Sequence, residues 1–353
     1  MRRHAIGKIV PILINMMALP SPALAQAQKP IATYTFDLSH TLSGYDGNHF
    51  GWAAAPDGSL IITTWRPHHQ WAVSRLSGLE SGKPHLQTIQ LSMTLPEPHP
   101  EKRVGPPNPL VDPTGHYVIL RSPPINVGDN GSNLQNWQAT IAIVDLNTFT
   151  LAHSSKVTHG FEDGSLFFSQ NGALLLDATA SGGGRSLTTL ALPSLDRLAV
   201  CEYRTKNQTG AADDEWPPDF TVTEKTPSCD QVVSIADAPN LKQLLDRYSP
   251  EKPMRHLAGN DCEFQQVSAT QLTALYRCGK DHLAGEDGAL LTFWYALKVI
   301  SLPGAKTILT IPLHFYDSES SGLFHQVDGQ QYLTVRHGNK LSMYQVPVTL
   351  TPP

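Results

Sequence analysis

One plan recurs along the chain: an apolar run, a turn carrying Gly, and a second apolar run that leaves it. It is clearest at Trp52–Arg66 (WAAAPDGSLIITTWR). It returns as Leu110–Arg121 (LVDPTGHYVILR), Leu166–Thr179 (LFFSQNGALLLDAT) and Leu323–Arg336 (LFHQVDGQQYLTVR). Gly58, Gly115 and Gly172 are spaced 57 and 57 residues apart. Short apolar runs bounded by Pro-Asp-Gly or Asn-Gly read as strands joined by tight turns. A repeated unit of this kind buries its apolar faces only against copies of itself, so the repeat constrains the fold more than any single motif does. The 28 Pro and 26 Gly among 353 residues, with charged residues at 16%, favour turn-rich β structure over helix.

Each complete unit offers four strands. The first continues through Trp71–Leu76 and Leu86–Leu91, the second through Thr140–Leu146 and Phe149–His153, the third through Ser186–Leu192 and Arg197–Tyr203. A hairpin at Thr270 leads into Leu290–Ser301 and Thr307–Leu313. The last unit turns at Gly338-Asn339 into Leu341–Val346 and is one strand short. Tyr34–Leu38 alternates as a half-buried strand before the first unit and would fill that gap, removing sheet edges that invite aggregation. The expected fold is all-β, a single β-propeller of about five to six four-stranded blades closed by an N-terminal strand. Two stacked β-sandwich domains are the alternative. Residues 204–261 break the rhythm and read as an irregular insertion or a degenerate blade; they hold the acidic Asp213–Glu215, a strand-like Gln231–Ile235 and a helix-like Leu241–Tyr248.

The units Leu110–His153 and Leu166–Tyr203, with the Pro/Asn-x-Gly turns at 56–58, 113–115 and 171–172 and the IAIVDLNT run at 141–148, resemble blades of exported bacterial β-propellers of the YVTN and WD40-like (quinoprotein-like) kind. The Gly-His…Trp-Asp signature of WD40 repeats is missing, and the 57-residue period exceeds their ~40–45. The resemblance implies a propeller that serves as a binding module, as an enzyme (a lactonase-like hydrolase or a quinoprotein-like oxidoreductase), or as a structural component of the envelope.

The N-terminus carries an address. Arg2, Arg3 and Lys8 form a basic region and Ile9–Leu19 an apolar core. Ala23-Leu24-Ala25 then places small residues where a signal peptidase reads, so residues 1–25 are expected to be a signal peptide and 26–353 the propeller domain. The apolar run is shorter than the ~20 residues that span a bilayer, so no membrane insertion is expected after cleavage and the destination is periplasmic or secreted. Without the first 25 residues, 23 bases face 31 acids, a net charge of −8. Nonspecific nucleic-acid binding rests on surplus Lys and Arg, so nucleic acid is not an expected partner. A monomer is expected.

Four cysteines suit an oxidising compartment. In a hairpin centred on Thr270, Cys262 faces Cys278 and Phe264 faces Tyr276, and directly opposed residues lie within disulfide reach. Cys201 would then pair with Cys229.

Strong catalytic motifs are missing: the sequence holds no Gly-x-Ser-x-Gly elbow, phosphate loop, dinucleotide fingerprint or His-Glu-x-x-His. Neighbouring residues of an extended chain point to opposite faces, so His68-His69 is a poor metal pair. Asp129–Asn133 lacks the spaced carboxylates of a calcium loop. No cofactor or metal is expected. One pattern points to a ligand. If the Gly turns lie at one end of the blades, then Arg66, Arg121, Arg185, Arg277 and Arg336 stand at or near the opposite end, with His68, His69, His282 and His337 in the same connections. Arginine offers a planar fork of donors to carboxylate or phosphate, so this face is the candidate site for a small anionic ligand or a protein partner. Ion pairing with local acids such as Asp281 or Asp287 is the alternative. The long connections 95–109, 122–136 and 204–261 would carry partner specificity.

Overall fold

The computed structural model describes residues 28–39, 41, 49–66, 70–94, 106, 108–122, 125–126, 137–159, 163–168, 172–179, 184–204, 261–268, 271–284, 289–302, 306–315 and 321–347. The connections that would carry partner specificity, and the strand and helix read within 204–261, lie largely or wholly outside them. A short strand, β1 (Ala32–Thr35), comes first. Blade I is the sheet β2 (Phe50–Ala54), β3 (Leu60–Arg66), β4 (Gln70–Ser77) and β5 (His85–Thr94), ordered as in the chain. Blade II contains β6 (Leu110–Val111), β7 (Tyr117–Arg121), β9 (Trp137–Asp145) and β10 (Thr150–His159). A two-residue β8 (Ile125–Asn126) pairs with β9 beyond the end of β7.

Blade III is β11 (Asp163–Phe168), β12 (Leu174–Thr179), β13 (Gly184–Leu190) and β14 (Arg197–Arg204). Blade IV is β15 (Cys262–Ser268), β16 (Thr273–Ala284), β17 (Ala289–Ser301) and β18 (Lys306–Phe315). Blade V holds β19 (Ser321–Val327), β20 (Gln330–His337) and β21 (Lys340–Gln345), and its fourth strand is β1, antiparallel to β21 with Ala32 opposite Met343. The N-terminal strand thus fills the gap in the last unit. It runs Ala32–Thr35 rather than the expected Tyr34–Leu38, because Phe36 leaves the ladder and exchanges hydrogen bonds with Asn339 at the β20–β21 turn: Phe36 N donates to the Asn339 carbonyl and Asn339 Nδ2 to the Phe36 carbonyl.

The blades pack face to face, and the apolar clusters give their order. Ile61, Trp65 and Val73 of blade I meet Val118, Leu120 and Val144 of blade II. Ile119, Ile141 and Ile143 on the far face of blade II meet Leu174, Leu176 and Leu190 of blade III. Leu275, Leu297 and Val299 of blade IV meet Phe324, Leu333 and Val335 of blade V. Blade V in turn gives Leu341 and Met343, with Tyr34 of β1, to Leu60, Ile62 and Leu76 of blade I. Strand residues alternate between these faces with period two, which is why nearly every position of β3 is buried. The first strand of each blade is innermost, and β15, β19, β2 and β6 touch in that sequence. Their inner edges are covered by neighbours: Trp52 N donates to Asn108 Oδ1 at 3.2 Å, and Phe324 N to Gln266 Oε1 at 2.8 Å.

The hairpin of blade IV has Cys262 opposite Cys278 and Phe264 opposite Tyr276, and the two cysteines form a disulfide with Cα atoms 3.9 Å apart. A bulge between Phe264 and Gln266 shifts the register by one residue, so Ser268 faces Thr273. Cys229 and the side chain of Cys201 lie outside the described residues.

This topology gives the molecule two unlike ends. In blades I to IV the connections between strands 1 and 2, and between strands 3 and 4, lie at one end, and the 2–3 and blade-to-blade connections leave from the other; in blade V the fourth strand, β1, comes from the other end of the chain and has no turn to β21. The two ends are called here the turn end and the loop end.

Candidate binding end of the propeller

The second strands deliver arginine to the loop end. Arg66 closes β3 opposite Gln70, Arg121 closes β7 opposite Ile141, and Arg336 is the penultimate residue of β20 opposite Ser321. Arg277 sits opposite Glu263, near the start of β15, although β16 itself runs on to Ala284 in a hairpin with β17 that outreaches β15. Arg185 begins near the loop end of the third strand of blade III, opposite Thr179; its side chain lies outside the described residues. His68 and His69 lie outside them too. His337 pairs with Lys340 at the β20–β21 turn, and His282 lies in the β16–β17 extension opposite Leu291.

Strand side chains stand perpendicular to their sheet, so these arginines enter the boundaries between blades. Arg336 is 5% exposed: its Nη1 donates to the Phe50 carbonyl at 2.7 Å, its Nε to the Gly338 carbonyl at 3.2 Å, and its guanidinium carbon lies 3.9 Å from the Phe50 ring centre. It therefore ties the end of blade V to the start of blade I. Arg277 lies over the Trp294 ring at 3.7 Å and reaches Glu263 Oε2 at 3.5 Å; Glu263 thus stands where the sequence suggested Asp281 or Asp287. Arg66 and Arg121 are half-buried.

Blade I has a peculiarity at this end. Thr64 Oγ1, Trp65 Nε1, Arg66 Nε and Trp71 Nε1 are buried donors that meet no acceptor among the described residues. All four lie in the last three residues of β3 and the second residue of β4. Trp65 and Trp71 oppose each other in the ladder, their rings edge to face with centroids 6.5 Å apart on the side facing blade II. Thr64 and Arg66 face blade V, because Thr64 opposes Phe50, a member of the cluster between blades V and I. A buried donor without an acceptor costs about 1–3 kcal/mol, and native structures keep few of them.

The turn end is wired in the opposite manner. Asp57 accepts from Ser59 N and Ser59 Oγ; Arg75 Nη2 pairs with Asp57, its Nε donates to Ser59 Oγ, and its Nη1 donates to the Leu146 carbonyl of blade II at 3.1 Å. Burial pushes the Asp57 carboxyl up, but the hydrogen bonds from Ser59 and Arg75 outweigh it and hold the group below its ordinary value. In blade II, Asp145 accepts from the backbone of Asn147 and Thr148, and these bonds lower its pKa. His325 in β19 is 5% exposed, with Nδ1 3.0 Å from the Gly58 carbonyl and Nε2 2.9 Å from Thr334 Oγ1. A carbonyl can only accept, so Nδ1 carries the proton and Nε2 accepts from the threonine. Burial pushes the His325 pKa down to about 4, against the opposing effect of the Gly58 bond, and the ring is neutral. Gly58 itself has φ 83°, and a Cβ there would fall 2.4 Å from the Gln326 carbonyl oxygen.

Among the described residues, no group of three His, Cys, Asp or Glu side chains is placed to hold a metal ion. The cluster at Thr64–Arg66 was not legible in sequence beyond the flanking tryptophans, since burial of a donor is decided by the neighbouring blade.

No protein-family model matches the chain, and no curated protein matches it. Solved structures similar to it include the β-propeller domain of the Trilobed protease from Pyrococcus furiosus, at 10% identity and TM-score 0.31, covering 92% of this chain and 83% of that one. Others are a bifunctional GH43-CE protein of Bacteroides eggerthii (10% identity, TM-score 0.34, 92% of this chain and 35% of that one) and a protein of unknown function from Bacteroides caccae (11%, 0.25, 75% and 68%). The chain thus spans about a third of the GH43-CE protein. The β-propeller fold rests on the five sheets and their order; function has to be argued from the site.

Proposed function

We propose that the protein is an exported, monomeric β-propeller of the YVTN/WD40-like kind that binds an anionic group, free or displayed on a protein partner, at its loop end. The observation that carries this reading is the recurrence of arginine at the loop end of the second strand in blades I, II and V, with Arg277 of blade IV level with the start of β15 although β16 runs on past it. A chain with a net charge of −5 that places its guanidinium groups repeatedly at one end creates a local field opposite in sign to its total. The Cys262–Cys278 disulfide and the basic-apolar N-terminus support an oxidising destination outside the cytoplasm.

Thermal unfolding of the mature chain, disulfides intact, against inorganic phosphate, dicarboxylates and calcium tests the reading. A ligand that binds only the native state stabilises it by about 2.7 kcal/mol at a hundredfold excess over Kd. The expected result is a saturable rise with an anion that the Arg121→Gln/Arg277→Gln double variant reduces. No rise with any anion overturns the proposal, and a rise with calcium alone would turn attention to a propeller hydrolase.

A further inference from the structure

The boundary between blades V and I is fastened by a histidine. His325, on β19 of blade V, crosses to the Gly58 carbonyl in the β2–β3 turn of blade I, and its other ring nitrogen accepts from Thr334 Oγ1 on β20. It is the one buried histidine among the described residues. The turn presses on the same strand, since a Cβ at Gly58 would fall 2.5 Å from Val327 Cγ2. Farther along this boundary, Trp52 Nε1 donates to Ser321 Oγ and Arg336 Nη1 to the Phe50 carbonyl. Neighbouring boundaries are joined by other means. Between blades IV and V, Phe324 N donates to Gln266 Oε1, and the Gln331 amide meets the Thr273 hydroxyl at 3.2 Å. Between blades I and II, Arg75 donates to the Leu146 carbonyl. Amides, hydroxyls and guanidinium groups keep their charge between pH 7 and pH 4; an imidazole does not.

We propose that this histidine makes the boundary an acid-sensitive latch: when Nε2 of His325 takes up a proton, blade V separates from blade I while the other described boundaries stay closed. The reason is local. Nε2 gains its proton where a hydroxyl donor already points, so the fully buried Thr334 must turn its oxygen to the ring and lose the acceptor for its own proton. The new cation also has no counter-charge bonded to it. Asp57, beside Gly58, is bonded to Ser59 and Arg75. From β20 come the Tyr332 ring, with its centroid 5.8 Å from that of the histidine, and the cation Arg336, two residues past Thr334. β1 contributes Tyr34, and the residues that β2, β3 and β21 add to the cluster between the blades are apolar. Asp328, at the β19–β20 turn, is exposed, and Glu263 of β15 pairs with Arg277. Opening the boundary gives the imidazolium water instead. Closed, the ring has its pKa pushed down to about 4; open, it returns to 6.5. The closed boundary is therefore at full strength above pH 6.5 and weakens as pH falls from 6.5 towards about 4. The latch does not depend on what the loop end binds.

Met343 reports on this boundary, because it is buried in the cluster between blades V and I and lies opposite Thr334 in the ladder. Its oxidation to the sulfoxide by hydrogen peroxide, followed by mass spectrometry on the mature protein with disulfides intact, measures how often the boundary opens. The expected result is oxidation roughly twentyfold faster at pH 5 than at pH 7, relative to free methionine. It should also outrun what the unfolded fraction from urea titration at pH 5 allows. His325→Gln stays neutral and should lose the acceleration. Equal rates at the two pH values overturn the latch, as does an acceleration that matches global unfolding or one that persists in His325→Gln. The first two outcomes are read on the wild type, so they decide the matter even where the variant does not fold.

Discussion

The two ends of blade I, built from the same three strands, use their polar groups in opposite ways. At the turn end, Arg75 is engaged through all three guanidinium nitrogens, to Asp57, Ser59 and Leu146. His325 is engaged at both ring nitrogens by Gly58 and Thr334. At the loop end, about 20 Å away along a seven-residue strand at ~3.3 Å per residue, four buried donors have no acceptor among the described residues. Satisfied networks fix one arrangement of the blades, whereas donors without acceptors hold affinity in reserve for something else. That difference is what supports placing the proposed recognition at the loop end.

The contrast can be broken most forcefully at Gly58. Gly58→Ala requires a left-handed residue and drives a methyl group into the Gln326 carbonyl and Val327, so urea unfolding should show a loss of about 3 kcal/mol or more. A wild-type midpoint would mean that the turn end is not the rigid one. The next largest effect is on pH. His325 has its folded pKa depressed from 6.5 to about 4, so the unfolded chain binds the extra proton first. Its contribution is fully present above pH 6.5 and is lost as pH falls from 6.5 to about 4, on the order of 3 kcal/mol. His325→Gln should flatten that part of the stability profile; an unchanged slope between pH 7 and pH 4 would remove His325 from the account. At the loop end of blade IV, reduction of Cys262–Cys278 opens a loop of separation 16 and should cost about 3 kcal/mol by the chain-entropy model. Equal midpoints of the oxidised and reduced protein would show that this staple does not hold the native blade.

The smallest effects separate the ends most sharply. Thr334→Val deprives His325 Nε2 of its donor and should destabilise by about 1–2 kcal/mol. Thr64→Val removes a donor that had no acceptor and should leave the ligand-free protein as stable or up to about 1 kcal/mol more so. Loss of stability in both variants, by similar amounts, would erase the distinction drawn between the two ends.

Much of the fold could be read because it depends on period and turns. The 57-residue spacing of glycines marks the 1–2 turns of blades I to III, and the opposition of Cys262 to Cys278 follows from counting back along a hairpin. What escaped depends on contacts between blades. The Gln265 bulge leaves no mark in the alternation of EFQQVS, whose polar residues fit either register. β8 is only two residues long and follows Pro123-Pro124, which lack N–H groups, so no strand pattern could build up there. The arginines could be placed at the loop end, but not what each touches: that Arg336 bonds to the Phe50 carbonyl depends on closure of the first sheet against the last.

That closure sets a clock for the chain. β1 finds its partner in β21, some three hundred residues later, so a strand made early is paired late. Until Lys340–Gln345 has been synthesised, the N-terminal segment has no ladder to join and blade V has no outer strand. Such long-range pairing slows folding relative to local hairpins. Blades I to IV can each pair their own strands as they appear, whereas blade V lacks its outer strand until β21 is made and meets β1. Synthesis of β21, rather than formation of any single hairpin, is therefore the event that lets β1 join its sheet.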